Sequence, residues 1–186
     1  MKKVFFLDRD GVIIHDGDYL KRPEEVVMFD ETPEAFRMIK EAGYDIVVVS
    51  NQSGIARGYF TEQDLSDVEK HIESLLRLSG APLPDKWCYC PHHEKGTVEK
   101  YAVECNCRKP KPGMLLSAKE ELNIDCSESF MIGDRISDIK AGYNAGCKEC
   151  VMVLSGWGKP EDTDQLERKP KIASGILEAV KYLLGK

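Results

Sequence analysis

The sequence has no apolar run long enough to cross a bilayer. A helical span needs about 20 such residues, and the runs present, such as Val4–Leu7 and Ile46–Val49, are short. Lys2-Lys3 followed by four apolar residues does not make a signal peptide either, because Asp8 ends the stretch. A cytoplasmic protein is therefore expected. A basic run is also missing. Lys and Arg number 26 against 32 Asp and Glu, for a formal charge of −6. That balance argues against nucleic acid and anionic membranes as partners. There is no internal repeat and no low-complexity tract. The seven cysteines are an odd number. In a reducing compartment, the four grouped at Cys88, Cys90, Cys105 and Cys107 suggest a metal before disulfides.

What remains reads as a globular chain. It has 186 residues, 42% hydrophobic and 31% charged, which predicts one domain over residues 1–186. Val4–Leu7, Asp45–Ser50, Phe130–Ile132 and Cys150–Leu154 are β-rich runs without alternation, the pattern of strands buried on both faces. Trp87–Cys90 is a weaker candidate. Helical patterns separate them. One is capped by Thr32 with Pro33 following, a second begins at Thr61, a third runs from Pro112 to about Leu122, a fourth from Ser137 to Ala145, and the last opens at Ser174. Lys159–Lys171 reads as a surface loop. Alternating strands and helices predict an α/β fold, a doubly wound, mostly parallel sheet flanked by helices.

Such sheets bind ligands beyond the carboxyl ends of their strands. Here those ends carry Asp8 and Asp10, then Ser50, then Asp134. At strand spacing Asp8 and Asp10 project to the same side, and Arg9 points the other way. Three carboxylates gathered at one place repel unless a cation or a proton is present, and oxygen-only ligands suit Mg²⁺ shared with a phosphate. The Ser50 hydroxyl, the amides of Asn51, Gln52 and Ser53, and the charges of Arg108 and Lys109 supply donors for that phosphate. Asp16 and Asp138, taken singly, read as caps of a turn or a helix.

Cys90-Pro91-His92 and Cys105-Asn106-Cys107 form two close pairs, separated by residues 93–104. Three Cys and one His are a closed structural zinc set, with His93 an alternative to His92. The zinc loop, residues 88–109, ends on Arg108-Lys109, so a metal there fixes where the lysine sits. Cys88, Cys126, Cys147 and Cys150 have no pairing pattern and read as small core residues.

The series Phe5-Phe6-Leu7-Asp8-Arg9-Asp10-Gly11, Ser50, Lys109 and Gly133-Asp134-Arg135-Ile136-Ser137-Asp138 resembles the haloacid dehalogenase (HAD) superfamily of phosphohydrolases over nearly the whole chain. The resemblance implies a HAD-like fold in which Asp8 is the nucleophile and Asp10 the general acid/base. It also implies that Asp8, the Asp10 carbonyl and Asp134 hold Mg²⁺, and that Ser50 and Lys109 stabilise the phosphoryl group. The zinc loop, together with Ser50-Asn51-Gln52-Ser53-Gly54-Ile55-Ala56-Arg57-Gly58, looks like the bacterial D-glycero-D-manno-heptose 1,7-bisphosphate phosphatases. Threonine is more usual there at the Ser50 position, and serine keeps the hydroxyl. By this likeness Asp16, Gly17, Asp18, Tyr19, Arg108 and Arg135 contact substrate. Histidinol-phosphate phosphatases share the catalytic set but space their second ligand pair more closely. The intervals between strands leave no room for a large cap domain, so the loops 15–21 and 54–60 and the zinc loop should rim an open pocket. The expected protein is a monomer acting on a small sugar phosphate. A zinc interaction module on a dead phosphatase fold is the competing class, and it would require a broken site.

Overall fold

The computed structural model describes every residue of the chain except Asp18. Its sheet has six parallel strands: β1 (Val4–Leu7), β2 (Asp45–Asn51), β3 (Lys86–Cys90), β4 (Phe130–Gly133), β5 (Glu149–Val153) and β6 (Lys171–Ala173). They lie in the order β3-β2-β1-β4-β5-β6. The helices are α1 (Thr32–Glu41), α2 (Glu62–Leu78), α3 (Gly113–Leu122), α4 (Ile136–Asn144) and α5 (Ile176–Leu184). The strand order reverses between β1 and β4, which opens a crevice at their carboxyl ends.

The lack of alternation in the strands has a direct cause. Phe5 and Leu7 of β1, with Ile46 and Val48 of β2, pack into a core shared with residues of α1, α2 and α5. Their neighbours Val4, Phe6, Val47 and Val49 pack on the other face, against Leu115 and Ala118 of α3 and Ile139 and Ala141 of α4. β1 and the middle of β2 are apolar without alternation because both of their faces are covered.

α2 begins as expected. The Thr61 hydroxyl accepts the Asp64 amide, and Asp64 accepts the Thr61 amide in return. Thr32 differs. It is the first residue of α1, and its hydroxyl donates to the Ile13 carbonyl at 2.9 Å, tying the helix to the loop after β1. The stretch read as a loop contains a 3₁₀ turn, Pro160–Gln165, and runs into β6, an edge strand of three residues. Cys88, Cys126, Cys147 and Cys150 are free thiols packed in or against the second core, as expected. No helix among the described residues is long and apolar enough to cross a membrane.

Candidate active site

β1 ends at Leu7, and the Asp8 amide still donates to the Ile132 carbonyl of β4 at 2.9 Å. Asp8 therefore stands at the switch point. Lys109 reaches it from the far side of the fold. Its backbone is pinned by Asn51 at the end of β2: the Asn51 amide donates to the Lys109 carbonyl, and the Lys109 amide to Asn51 Oδ1, both at 3.1 Å. Lys109 Nζ has three acceptors for its three donors: Asp8 Oδ1 at 2.9 Å, Asp138 Oδ1 at 2.7 Å and the Val49 carbonyl at 2.7 Å. Burial alone would drive this ammonium to lose its proton. The Asp138 and Asp8 carboxylates overcome that and raise its pKa.

Asp138 is thus more than a cap. Its Oδ2 accepts the Arg135 amide at the start of α4, while its Oδ1 pairs with the lysine. Oxygens of Asp8, Asp134 and Asp138 lie within 4.8 Å of one another, all three residues buried. Asp134 Oδ2 accepts the Trp157 amide at 2.8 Å, but its Oδ1 is buried with no hydrogen-bond partner among the described residues. The Gly156 Cα faces the same carboxylate so closely that an added Cβ would overlap Oδ2. Three carboxylates against one ammonium, plus an orphaned oxygen, fit a hard cation with oxygen ligands. Burial, with Lys109 opposing it, pushes the Asp8 pKa well above the carboxylate range. Burial and the neighbouring Asp138 push Asp134 up to about 6.

These shifts set a pH dependence. The native Asp134 holds its proton up to about pH 6, whereas the unfolded residue loses it near 3.8. Native protein binds more protons between those values, so stability is highest below the window and falls as pH rises through it. The loss from this residue is about 3 kcal/mol. Chelator-treated protein should lose thermal stability between pH 4 and 7, and Asp134→Asn should flatten that slope. A constant wild-type-to-variant gap across the range would contradict the assignment.

Asp10 is set apart from this cluster. The strand-spacing argument does not reach it, because the chain leaves the strand at residue 8. The amides of Val12, Ile13 and Ile14 all turn back onto the Arg9 carbonyl. Arg9 accordingly does not point away from the site. It is 2% exposed, and its Nε and Nη2 grip the Asp10 carboxylate at 2.9–3.1 Å. Gln52 Nε2 holds the other side of that carboxylate at 2.9 Å and also donates to Ser50 Oγ at 2.7 Å. Ser50 and Asp10 are therefore linked through one amide.

The cleft above these groups has a volume of about 420 Å³. Asp16, Gly17, Tyr19, Asn51, Ser53, Arg108 and Arg135, the expected substrate contacts, are among the residues that line it. Asp18 lies outside the described residues. Arg135 pairs with Asp16 at 3.2 Å and lies over the Trp157 ring. Sequence reasoning missed Arg57 and Trp157, which also line the cleft. An indole between two glycines, Gly156-Trp157-Gly158, was the signal the sequence offered for Trp157.

Beside the cleft, Cys90, Cys105, Cys107 and His92 point at one centre. The sulfur–sulfur separations are 3.2, 3.3 and 3.6 Å, and His92 Nδ1 lies 3.3 and 3.8 Å from two of the sulfurs. These are far too long for disulfides, whose sulfurs are ~2 Å apart. They approach the ~3.8 Å edge of a tetrahedron built on zinc–sulfur bonds of ~2.3 Å. Of the two histidines, His92 is the one in the cluster.

A protein-family profile described as HAD-hydrolase-like matches residues 106–179. A D-glycero-beta-D-manno-heptose-1,7-bisphosphate 7-phosphatase of Pasteurella multocida is 42% identical over 185 residues, covering 100% of this chain and 98% of the relative. The chain belongs to the heptose-bisphosphate phosphatase family of HAD-like hydrolases. Another family member, from Haemophilus influenzae, is 44% identical over 84% of each chain. The crystal structure of a D,D-heptose 1,7-bisphosphate phosphatase from B. bronchiseptica, complexed with magnesium and phosphate, superposes with a TM-score of 0.87. It shares 29% identity and 98% coverage of both chains. The family's fold is therefore present from end to end, with the α/β class, the parallel sheet and the metal-competent Cys/His loop all as expected.

Proposed function

We propose that this chain, acting as one catalytic unit, hydrolyses the C7 phosphate of D-glycero-D-manno-heptose 1,7-bisphosphate through a phosphorylated Asp8, with Mg²⁺ at the carboxylates and structural zinc in the Cys/His loop. The observation that carries the chemistry is the buried Asp8 beside a lysine with no donor to spare. Its Oδ1 accepts from Lys109 and from the Arg9 amide, which leaves Oδ2 as the attacking oxygen. Asp8, Asp134 and the Asp10 carbonyl would hold Mg²⁺, with Asp138 near them. When bound, the ion supplies charge neutralisation for the carboxylates and the phosphoryl oxygens.

The chain's own groups divide the work. Once a phosphoryl oxygen displaces one of the three acceptors of its ammonium, Lys109 joins the Ser50 hydroxyl in orienting the phosphoryl group and stabilising the charge that builds there. Asp8 attacks phosphorus as the bond to the sugar oxygen breaks. Asp10 gives that oxygen its proton, then takes one from the water that cleaves the aspartyl-phosphate. The carboxylate is fully engaged by Arg9 and Gln52 in this structure, so proton delivery requires it to release part of that grip. Arg108 and Arg135 face the sugar end.

Asp10→Asn should slow a sugar phosphate by roughly 10²–10⁴-fold. It should lower kcat/KM for 4-nitrophenyl phosphate far less, because kcat/KM ends at loss of the leaving group and a nitrophenolate leaves without a proton, whereas the later water attack, which also uses Asp10, is common to both substrates. Equal losses on the two substrates would argue against the acid role. The functional reading itself is tested by comparing kcat/KM for heptose bisphosphate, fructose bisphosphate and histidinol phosphate. Preference for histidinol phosphate would overturn it.

A further inference from the structure

The cleft holds five cations, and three are matched. Arg9 is paired with Asp10, Lys109 with Asp8 and Asp138, and Arg135 with Asp16. Arg57 and Arg108 have no carboxylate partner among the described residues. Arg57 Nε is buried with no hydrogen-bond acceptor among the described residues. Its Nη2 lies 3.2 Å from His93 Nε2, but the other ring nitrogen, Nδ1, already accepts the Lys95 amide at 3.1 Å. In a neutral ring that leaves Nε2 carrying the proton, so the contact sets two donors face to face. The guanidinium is therefore held in position without being satisfied. An unsatisfied charged donor at a cleft wall costs stability unless a ligand completes it.

The backbone around Arg57 is built to keep it there. The amides of Thr97 and Val98 both donate to the Ala56 carbonyl, and the Thr97 hydroxyl donates to the Arg57 carbonyl. A Cβ at Gly96 would fall 2.6 Å from the Ala56 carbonyl oxygen, so glycine is what lets the two segments meet. The Cys/His loop thus carries Arg108 directly after Cys107 and clamps the turn that bears Arg57. Arg57 Nη2 touches the His93 ring, and both guanidiniums line the same cleft.

We infer that Arg57 is a specificity residue that, with Arg108, grips the second phosphate of the substrate, the one that is not hydrolysed. The inference rests on the sugar-bisphosphate reading above. A phosphate dianion supplies the several acceptor oxygens that two adjacent guanidiniums lack, and it fits their geometry better than a neutral hydroxyl.

The test uses the full chain with both metals and two substrates, heptose 1,7-bisphosphate and 4-nitrophenyl phosphate. Arg57→Ala should raise KM for the bisphosphate roughly 10- to 100-fold more than KM for the aryl phosphate. The kcat on the bisphosphate should change much less than its KM. Arg57→Lys should recover part of the difference. Equal losses on both substrates, together with a lowered melting temperature, would make Arg57 merely structural and overturn the inference. If the wild type prefers the bisphosphate but Arg57→Ala leaves that preference intact, the assignment alone is wrong. If the wild type shows no such preference, the functional reading fails and Arg57's role falls with it.

Discussion

Asp8→Asn should lose at least about 10⁴-fold in turnover while the chelator-treated protein stays as thermally stable as the parent or becomes more so. The two halves of that result have one cause. Three buried carboxylates share one ammonium at this site. An amide at position 8 removes a buried charge and its repulsion with Asp134 and Asp138, but it keeps the shape and an oxygen for Lys109. Lys109 retains Asp138 and the Val49 carbonyl. The fold therefore gives up little, and the reaction gives up its nucleophile. Such a trade is expected wherever a site is strained for chemistry. The same variant should lose most of the rise in melting temperature that Mg²⁺ gives the parent, because a cation ligand has gone. A tenth of wild-type activity remaining would rule out the covalent route. A melting temperature several degrees below the parent, without metal, would refute the charge argument.

Cys107→Ala should damage the enzyme by a different route. Four protein ligands close the tetrahedron, so a zinc held there has no position open for substrate or water. Brief EDTA treatment should remove Mg²⁺ and abolish activity, and Mg²⁺ alone should restore it while about one zinc per chain is retained. In Cys107→Ala the zinc content should fall sharply. The melting temperature should drop on the order of 10 °C. Affinity for the phosphate ester should fall as well, because Arg108 and Lys109 follow directly, and no concentration of Mg²⁺ should repair it. Elemental analysis of protein prepared without chelator decides the matter. Absence of zinc, or wild-type kinetics in Cys107→Ala, would reduce the cluster to loop packing.

Much of this molecule could be read from residue order because the informative signals were local. Apolar runs ending in Asp8, Ser50 and Asp134 located the carboxyl ends of β1, β2 and β4. Thr61 located the start of α2. What escaped depended on chain geometry or on distant partners. β6 has three residues, one exposed and one half-buried, and it sits at the sheet edge. Such a strand needs no apolar run. Arg9 was misplaced because strand spacing was extended past the end of the strand. Asp138 satisfied a local capping rule with one oxygen, and only the arrival of Lys109 from a remote segment gave the other oxygen a task. Arg57 lay inside a motif already noted, but that it has no carboxylate partner among the described residues is a property of three dimensions.

Gly156 belongs to none of these categories. It offers no donor, charge or nucleophile, yet any side chain there would occupy the space of the Asp134 carboxylate. What it contributes is vacancy. A census of functional residues that ranks positions by their chemistry would pass over it, whereas one that ranks them by tolerance to change should place it beside Asp134 itself. The proposed cation site is thus specified twice, once by carboxylates that would attract an ion and once by a bare backbone that leaves those carboxylates room.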